Sequence, residues 1–158
     1  MSTKRNKELV SQGIKDWNEL GGDSAKMRNW YEKYNAPSAT YHRLSRDMNL
    51  EQSIQYMNDY SGFPDLKFSI DDMVAEGNKV ALRYTMQFTH DKTLRGIPAT
   101  GKLIVVKGVQ IFSIAAGKIV ESWDFPDSLG AMTQLGAILS AAPKNKLALI
   151  GKLHHGSY

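Results

Sequence analysis

Val80-Ala81-Leu82-Arg83-Tyr84-Thr85-Met86-Gln87-Phe88-Thr89 puts an apolar residue at every even position, with mostly polar residues between them. A period of two over ten residues is the pattern of a strand with one buried face. Upstream, Leu66, Phe68 and Ile70 alternate with Lys67, Ser69 and Asp71, and Glu76-Gly77-Asn78-Lys79 reads as the hairpin turn joining the two runs. Downstream, a loop with Gly96, Pro98 and Gly101 leads into a long strand from about Lys102 to Ile114. Ala115-Ala116-Gly117 turns the chain back, and Lys118 to Phe125 makes the last strand.

Before Phe63 the period is that of helices. Val10, Gly13, Ile14, Trp17 and Leu20 lie on one helical stripe, stopped by Gly21-Gly22. Asp23 or Ser24 can cap a second helix striped by Met27, Trp30, Tyr31 and Tyr34, which Asn35-Ala36-Pro37 ends. Ala39 to Leu44 can form a short strand. Asn49 with Gln52 three residues on resembles a capping box opening a third helix, lined by Leu50, Ile54 and Met57 and closed by Gly62. A final short helix holds Leu129, Met132, Leu135 and Ile138. Helices followed by antiparallel strands predict an α+β fold, with the helices on one face of a strongly curved sheet. Such a sheet leaves a cone open at one end, a common place for a small-molecule site. We expect one domain over residues 1–142 and a loosely docked tail over 143–158.

Composition removes several function classes. The 158 residues carry no cysteine, so there is no disulfide, no thiolate nucleophile and no cysteine metal site. His154-His155 has no carboxylate or cysteine beside it, and no metal is expected. No apolar run approaches the length of a membrane span, and the basic N-terminus lacks the apolar stretch of a signal peptide, so a cytoplasmic protein is expected. The net charge of +4 is spread along the chain, with no basic stripe interleaved with aromatics, and nucleic acid is not an expected partner.

Several pieces, in order, carry a family resemblance. They are Phe63-Pro64-Asp65-Leu66, Val74-Ala75-Glu76-Gly77-Asn78-Lys79-Val80-Ala81, Thr89-His90 and Gly96-Ile97-Pro98-Ala99-Thr100-Gly101-Lys102. Gly117-Lys118-Ile119-Val120-Glu121-Ser122-Trp123-Asp124 and Gln134-Leu135-Gly136 complete them. This order resembles the SnoaL-like polyketide cyclases, within the nuclear-transport-factor-2-like superfamily of cone-shaped folds. The resemblance implies intramolecular aldol chemistry without metal or cofactor. It implies that Asp124 is the general acid/base, assisted from the preceding strand by a position that is histidine in the family and Gln110 here. Glutamine donates a hydrogen bond but cannot carry a proton.

Strand geometry can be set beside that pairing. If Ala115-Ala116-Gly117 is a three-residue loop, Ile114 pairs with Lys118, and Gln110 stands opposite Ser122 with Gly108 opposite Asp124. Gln110 and Asp124 then share a face on a diagonal of about 7–8 Å. A one-residue slip puts them on opposite faces. His42, Tyr84 and His90 are the candidate substrate-binding residues: His42 from the short strand, Tyr84 by parity with Phe88, and His90 at the pocket mouth. Asp127, just before a helix, reads as a cap.

An Asp-Arg-Asp relay for epoxide hydrolysis is absent, since Arg83 has threonine two residues on. Asp124 with Tyr41 or Tyr84 imitates only part of a ketosteroid-isomerase-like site. There is no Gly-rich phosphate loop or nucleophile elbow. Two readings of different class follow. One is a cofactor-independent acid/base enzyme acting on a small hydrophobic carbonyl compound. The other is a non-catalytic module in which the cone binds a small molecule or supports dimerisation. Leu103, Val105, Val109 and Ile111 oppose Ile104, Val106 and Phe112 across the long strand, so both sheet faces need cover and a homodimer on the outer face is expected.

Overall fold

The alternating stretch forms β4 (Lys79–Thr89), paired antiparallel along its length with β3 (Lys67–Glu76) and β5 (Leu103–Ala115). The computed structural model describes residues 2–43 and 46–138. The other elements are α1 (Thr3–Asn18), α2 (Ser24–Tyr34), β1 (Asn35–Arg43), β2 (Arg46–Met48), α3 (Leu50–Asn58), β6 (Lys118–Pro126) and α4 (Ser128–Gln134). The expected tail over 143–158, with His154-His155, lies outside the described residues.

The fold is α+β, as the change of period predicts, but the sheet is mixed rather than wholly antiparallel. Its order is β2-β1-β6-β5-β4-β3, and β1 lies parallel to β6. A parallel pair needs a long crossover, which the four intervening strands and α3 supply. The sheet is not closed into a barrel. Among the described residues, no helix is long and apolar enough to cross a membrane.

Local signals set the helices. Asp23 caps α2 by accepting from the backbone N–H of Ala25 and Lys26. Asn49 and Gln52 form the expected capping box at α3, with bonds of 2.9 and 3.0 Å. Gly13 on α1 lets α2 approach closely: the Trp30 indole N–H donates to its carbonyl at 2.8 Å, and Trp30 and Trp17 meet edge to face at 4.8 Å. The helices cover the face bearing Val80, Leu82, Tyr84, Met86 and Phe88, which join Ile104, Val106 and Phe112 in the core.

Two side-chain amides finish the sheet where strands run out. At the β3 edge, Asn18 accepts from Phe68 N–H and donates to Phe68 C=O, both at 2.8 Å. Beyond the end of β6, Gln134 does the same for Val105 of β5, again at 2.8 Å each way. This gives the Gln134-Leu135-Gly136 piece a structural role. The expected C-terminal stripe is shorter than its spacing suggests. The helix ends at Gln134; Leu135 is buried, while Leu129, Met132 and Ile138 are exposed. On the outer face Leu103, Val109 and Phe125 are exposed, with Val109 directly opposite Phe125.

Replacing Gln134 by alanine removes both bonds from the Val105 backbone. A loss of about 1–3 kcal/mol is expected in urea unfolding, because two half-buried backbone groups lose their protein partners.

Candidate functional site

Between the helices and the inner face of the sheet lies a cavity of about 90 Å³, several times what one water needs. Its wall is mostly aromatic and apolar, from Trp30 and Tyr34 on α2 to Phe112 on β5. The few polar groups in it come from adjacent strands. Arg43 of β1 stands opposite Asp124 of β6, and Asp124 stands opposite Gln110 of β5. One row along, Tyr41 stands opposite Ser122, and Ser122 opposite Phe112. All six line the cavity.

The register differs from the expected one, and the difference brings Gln110 and Asp124 closer. The β5–β6 turn has two residues, Ala116 and Gly117, both at positive φ (48° and 78°), and Ala115 pairs with Lys118. Those dihedrals are the hairpin-matching kind. By itself this shorter turn would put Gln110 and Asp124 on opposite faces. The register then shifts between Ile114↔Ile119 and Ser113↔Glu121, leaving Val120 as an extra residue on β6. The bulge restores the parity, so Gln110 faces Asp124 directly rather than diagonally. Gly108 pairs with Pro126 rather than with Asp124.

Gly108 instead serves Tyr84, its partner on β4. A Cβ at residue 108 would lie 2.5 Å from the Tyr84 phenol carbon and oxygen. The missing side chain lets the phenol cross β5 and donate to Asp124 Oδ1 at 2.8 Å. Burial, then the charge of Asp124, then the hydrogen bond to it push the Tyr84 phenol far above its usual range, so it remains a donor. The other carboxylate oxygen lies 3.9 Å from Nε of Arg43, beyond hydrogen-bonding distance. Arg43 is itself buried, with Nη1 on the Met57 sulfur at 3.0 Å and the guanidinium 5.2 Å from the Tyr56 ring centre. Burial also raises the phenols of Tyr31 and Tyr41. Tyr31 shares a hydrogen bond with Ser53 at 3.2 Å. The Gln110 side chain has no hydrogen-bond partner among the described residues.

The sequence-derived candidates divide. Asp124, Gln110 and Tyr84 meet in the cavity. His42 does not: with Tyr41 and Arg43 facing inward, strand alternation turns His42 out. There it stacks on Trp123 at 5.0 Å between Asp47 (2.6 Å) and Glu121 (3.0 Å). His90 is fully buried but away from the cavity wall, with Nδ1 against Thr100 Oγ1 at 3.0 Å and its backbone bonded to Lys102, Thr100 and Gly101. It anchors the 90–101 loop, because that loop folds back on the strand end. Asp127 is a cap, accepting from Gly130 N–H at 2.8 Å. Arg43 is the charged residue that the sequence reading missed, whereas Ser122 shares the face of Gln110 and Asp124 as expected. The signal for Arg43 was present: in Ala39-Thr40-Tyr41-His42-Arg43 the apolar parity includes residue 43 and excludes residue 42.

His42 generates a pH prediction. Its hydrogen bonds to Asp47 and then Glu121 raise its pKa above the ordinary histidine value near 6.5. A group whose folded pKa is raised contributes stability that is full below its unfolded pKa and is lost as pH rises through the folded one. The melting temperature of the wild type relative to His42→Gln is therefore expected to be largest near pH 6 and to shrink toward pH 8. A difference independent of pH would contradict the assignment.

Comparison with known proteins agrees with the fold. The SnoaL-like polyketide cyclase family model matches residues 31–135. Among solved structures, the chain is similar to AclR from Streptomyces galilaeus, a candidate hydroxylase, at TM-score 0.76 and 23% identity, covering 87% of this chain and 99% of that one. A candidate SnoaL-like polyketide cyclase from a Jannaschia species gives TM-score 0.73 and 24% identity over 86% of this chain and 94% of that one. TsrD from Streptomyces laurentii gives TM-score 0.72 and 26% identity over 87% and 99%. A sequence search of the curated proteins finds no match. With two-thirds of its length matched by the family model, this chain belongs to the SnoaL-like polyketide cyclase family.

Proposed function

We propose that this protein is an acid/base enzyme that acts without a cofactor on a small hydrophobic carbonyl compound, by aldol cyclisation or isomerisation, with Asp124 moving the proton. The observation that carries this reading is a carboxylate in a mostly aromatic cavity with Gln110 directly across from it. In the reaction, Asp124 takes a proton from the carbon beside a carbonyl, and the C–H electrons pass into the enolate. The enolate carbon then bonds to a second carbonyl carbon, or is reprotonated at another position. In cyclisation the resulting alkoxide takes the proton back from Asp124. Gln110, with its amide unengaged, donates to a carbonyl oxygen of the substrate. Tyr84 orients the carboxylate through Oδ1 and leaves Oδ2 for the proton.

One observation favours the second reading, a binding module. The Asp124 carboxylate already accepts from the Tyr84 O–H and has the Arg43 cation 3.9 Å away, and Gln110 carries no proton. In either case we propose that two copies join through the outer face, where Leu103, Val109 and Phe125 are exposed. Sedimentation of a dilute sample is expected to show a dimer; a single species near 17.7 kDa would remove that proposal.

The mechanism predicts that Asp124→Asn keeps the fold and lowers turnover by about 10²–10⁴. Gln110→His is expected to raise turnover toward that of a histidine-assisted pair. Gln110→Leu is expected to lose the donor at nearly constant pocket volume. Aromatic and polyketide-like carbonyl compounds screened by thermal shift supply the substrate for these assays. Full activity in Asp124→Asn contradicts the proton-carrier role, and tight binding without wild-type turnover favours the binding module.

A further inference from the structure

Three polar atoms on residues that line the cavity have no hydrogen-bond partner among the described residues, and the roles proposed for Asp124 and Gln110 leave them unused. They are the Tyr41 hydroxyl, Arg43 Nε and Ser122 Oγ. Their residues are only 3%, 8% and 1% exposed, so bulk water does not serve them. Unpaired buried polar atoms are rare because each has lost its hydration without replacement. Two more occur among the described residues, Asn6 Oδ1 and His90 Nε2, and neither of those residues lines the cavity. The three on cavity-lining residues come from two adjacent strands. Tyr41 is the cross-strand partner of Ser122, and Arg43, two residues on, is the partner of Asp124.

We propose that the Tyr41 hydroxyl, Arg43 Nε and Ser122 Oγ form an oxyanion subsite, which binds the oxygen of a phenolate or enolate. All three can donate, and Arg43 can only donate. Burial keeps the Tyr41 phenol protonated, so its hydrogen is available. The nearest opposing charge is Asp124, 3.9 Å from Arg43 Nε. With Asp124 ionised, a second anion in the subsite is repelled. When Asp124 takes a proton from the ligand, the negative charge passes to the ligand oxygen, and Arg43 exchanges one anionic partner for the other. The charge buried in the cavity is then unchanged through the step. The enolate form of this inference rests on the acid/base reading above; phenolate binding does not.

The test uses 4-nitrophenol, whose phenolate is read by visible absorption, at a pH where the free probe is ionised. Asp124→Asn, which mimics the protonated carboxyl, is expected to bind the phenolate about tenfold or more tighter than wild type. In the Asp124→Asn background, Tyr41→Phe and Ser122→Ala are each expected to weaken binding by about tenfold, the worth of a hydrogen bond to a charged oxygen. Neither is expected to lower the melting temperature, since each removes an atom that has no partner in the fold. Arg43→Met is expected to abolish phenolate binding. Unchanged affinity in Tyr41→Phe and Ser122→Ala would overturn the subsite, as would a lower melting temperature in both, which would mean that the hydroxyls serve the fold. No turnover is involved in these readings. If Asp124→Asn loses turnover but phenolate binding ignores the three donors, the subsite fails and the acid/base reading stands. If the donors hold phenolate while Asp124→Asn turns over fully, the reverse holds.

Discussion

The hydrogen bond from Tyr84 to Asp124 is the interaction on which the site depends. A carboxylate beneath a roof of tryptophans and tyrosines loses most of its hydration, and hydrogen-bond donors must replace the lost water. Tyr84 supplies one such donor at 2.8 Å, across an intervening strand, and only the bare backbone of Gly108 leaves room for it to pass. Arg43 supplies the countercharge from the other side of β6. Asp124 is thus held between β4 and β1, two strands that never touch each other.

Chain parity makes that arrangement available. The two-residue turn at Ala116-Gly117 and the extra residue at Val120 are each a one-residue irregularity, and either one alone would turn Asp124 away from Gln110. Together they cancel. The bulge also reverses which β6 residues face inward: Ile119 before it, then Ser122, Asp124 and Pro126 after it, all of which line the cavity. A bulge that re-aims side chains beside a site is a common use of this irregularity.

Much of this was legible in the sequence, because periodicity and capping are local. The change from 3.6 to 2 after Phe63 located helices and strands, and the Asn49–Gln52 box and the Gly77-Asn78 turn occur where their chemistry predicts. The inward face of β4, with Tyr84 on it, followed from alternation, and the family resemblance paired Asp124 with Gln110. What was not legible depends on partners distant in sequence. A three-residue turn and a two-residue turn with a bulge look alike in Ala115-Ala116-Gly117, since nothing local marks Val120 as the extra residue. His42 drew attention by residue type, whereas its strand's parity pointed to Arg43. The parallel placement of β1 beside β6, which makes Arg43 a neighbour of Asp124, has no local signature at all. Gln110 departs from the histidine that the family resemblance leads one to expect, and Arg43 gives this cavity a fixed cation within 3.9 Å of the carboxylate. The charge that a histidine would carry only when protonated is therefore permanent here.

The coupling between Tyr84 and Asp124 tests this account most directly. Unfolding free energies of wild type, Tyr84→Phe, Asp124→Asn and the double variant, measured in urea, form a double-mutant cycle that isolates the pair. If the phenol sustains the half-buried carboxylate, the coupling is about 1–3 kcal/mol, with Tyr84→Phe much more costly when Asp124 is present than when asparagine replaces it. Additivity within about 0.5 kcal/mol would contradict it, because the two side chains would then contribute independently and the cavity would not depend on their contact.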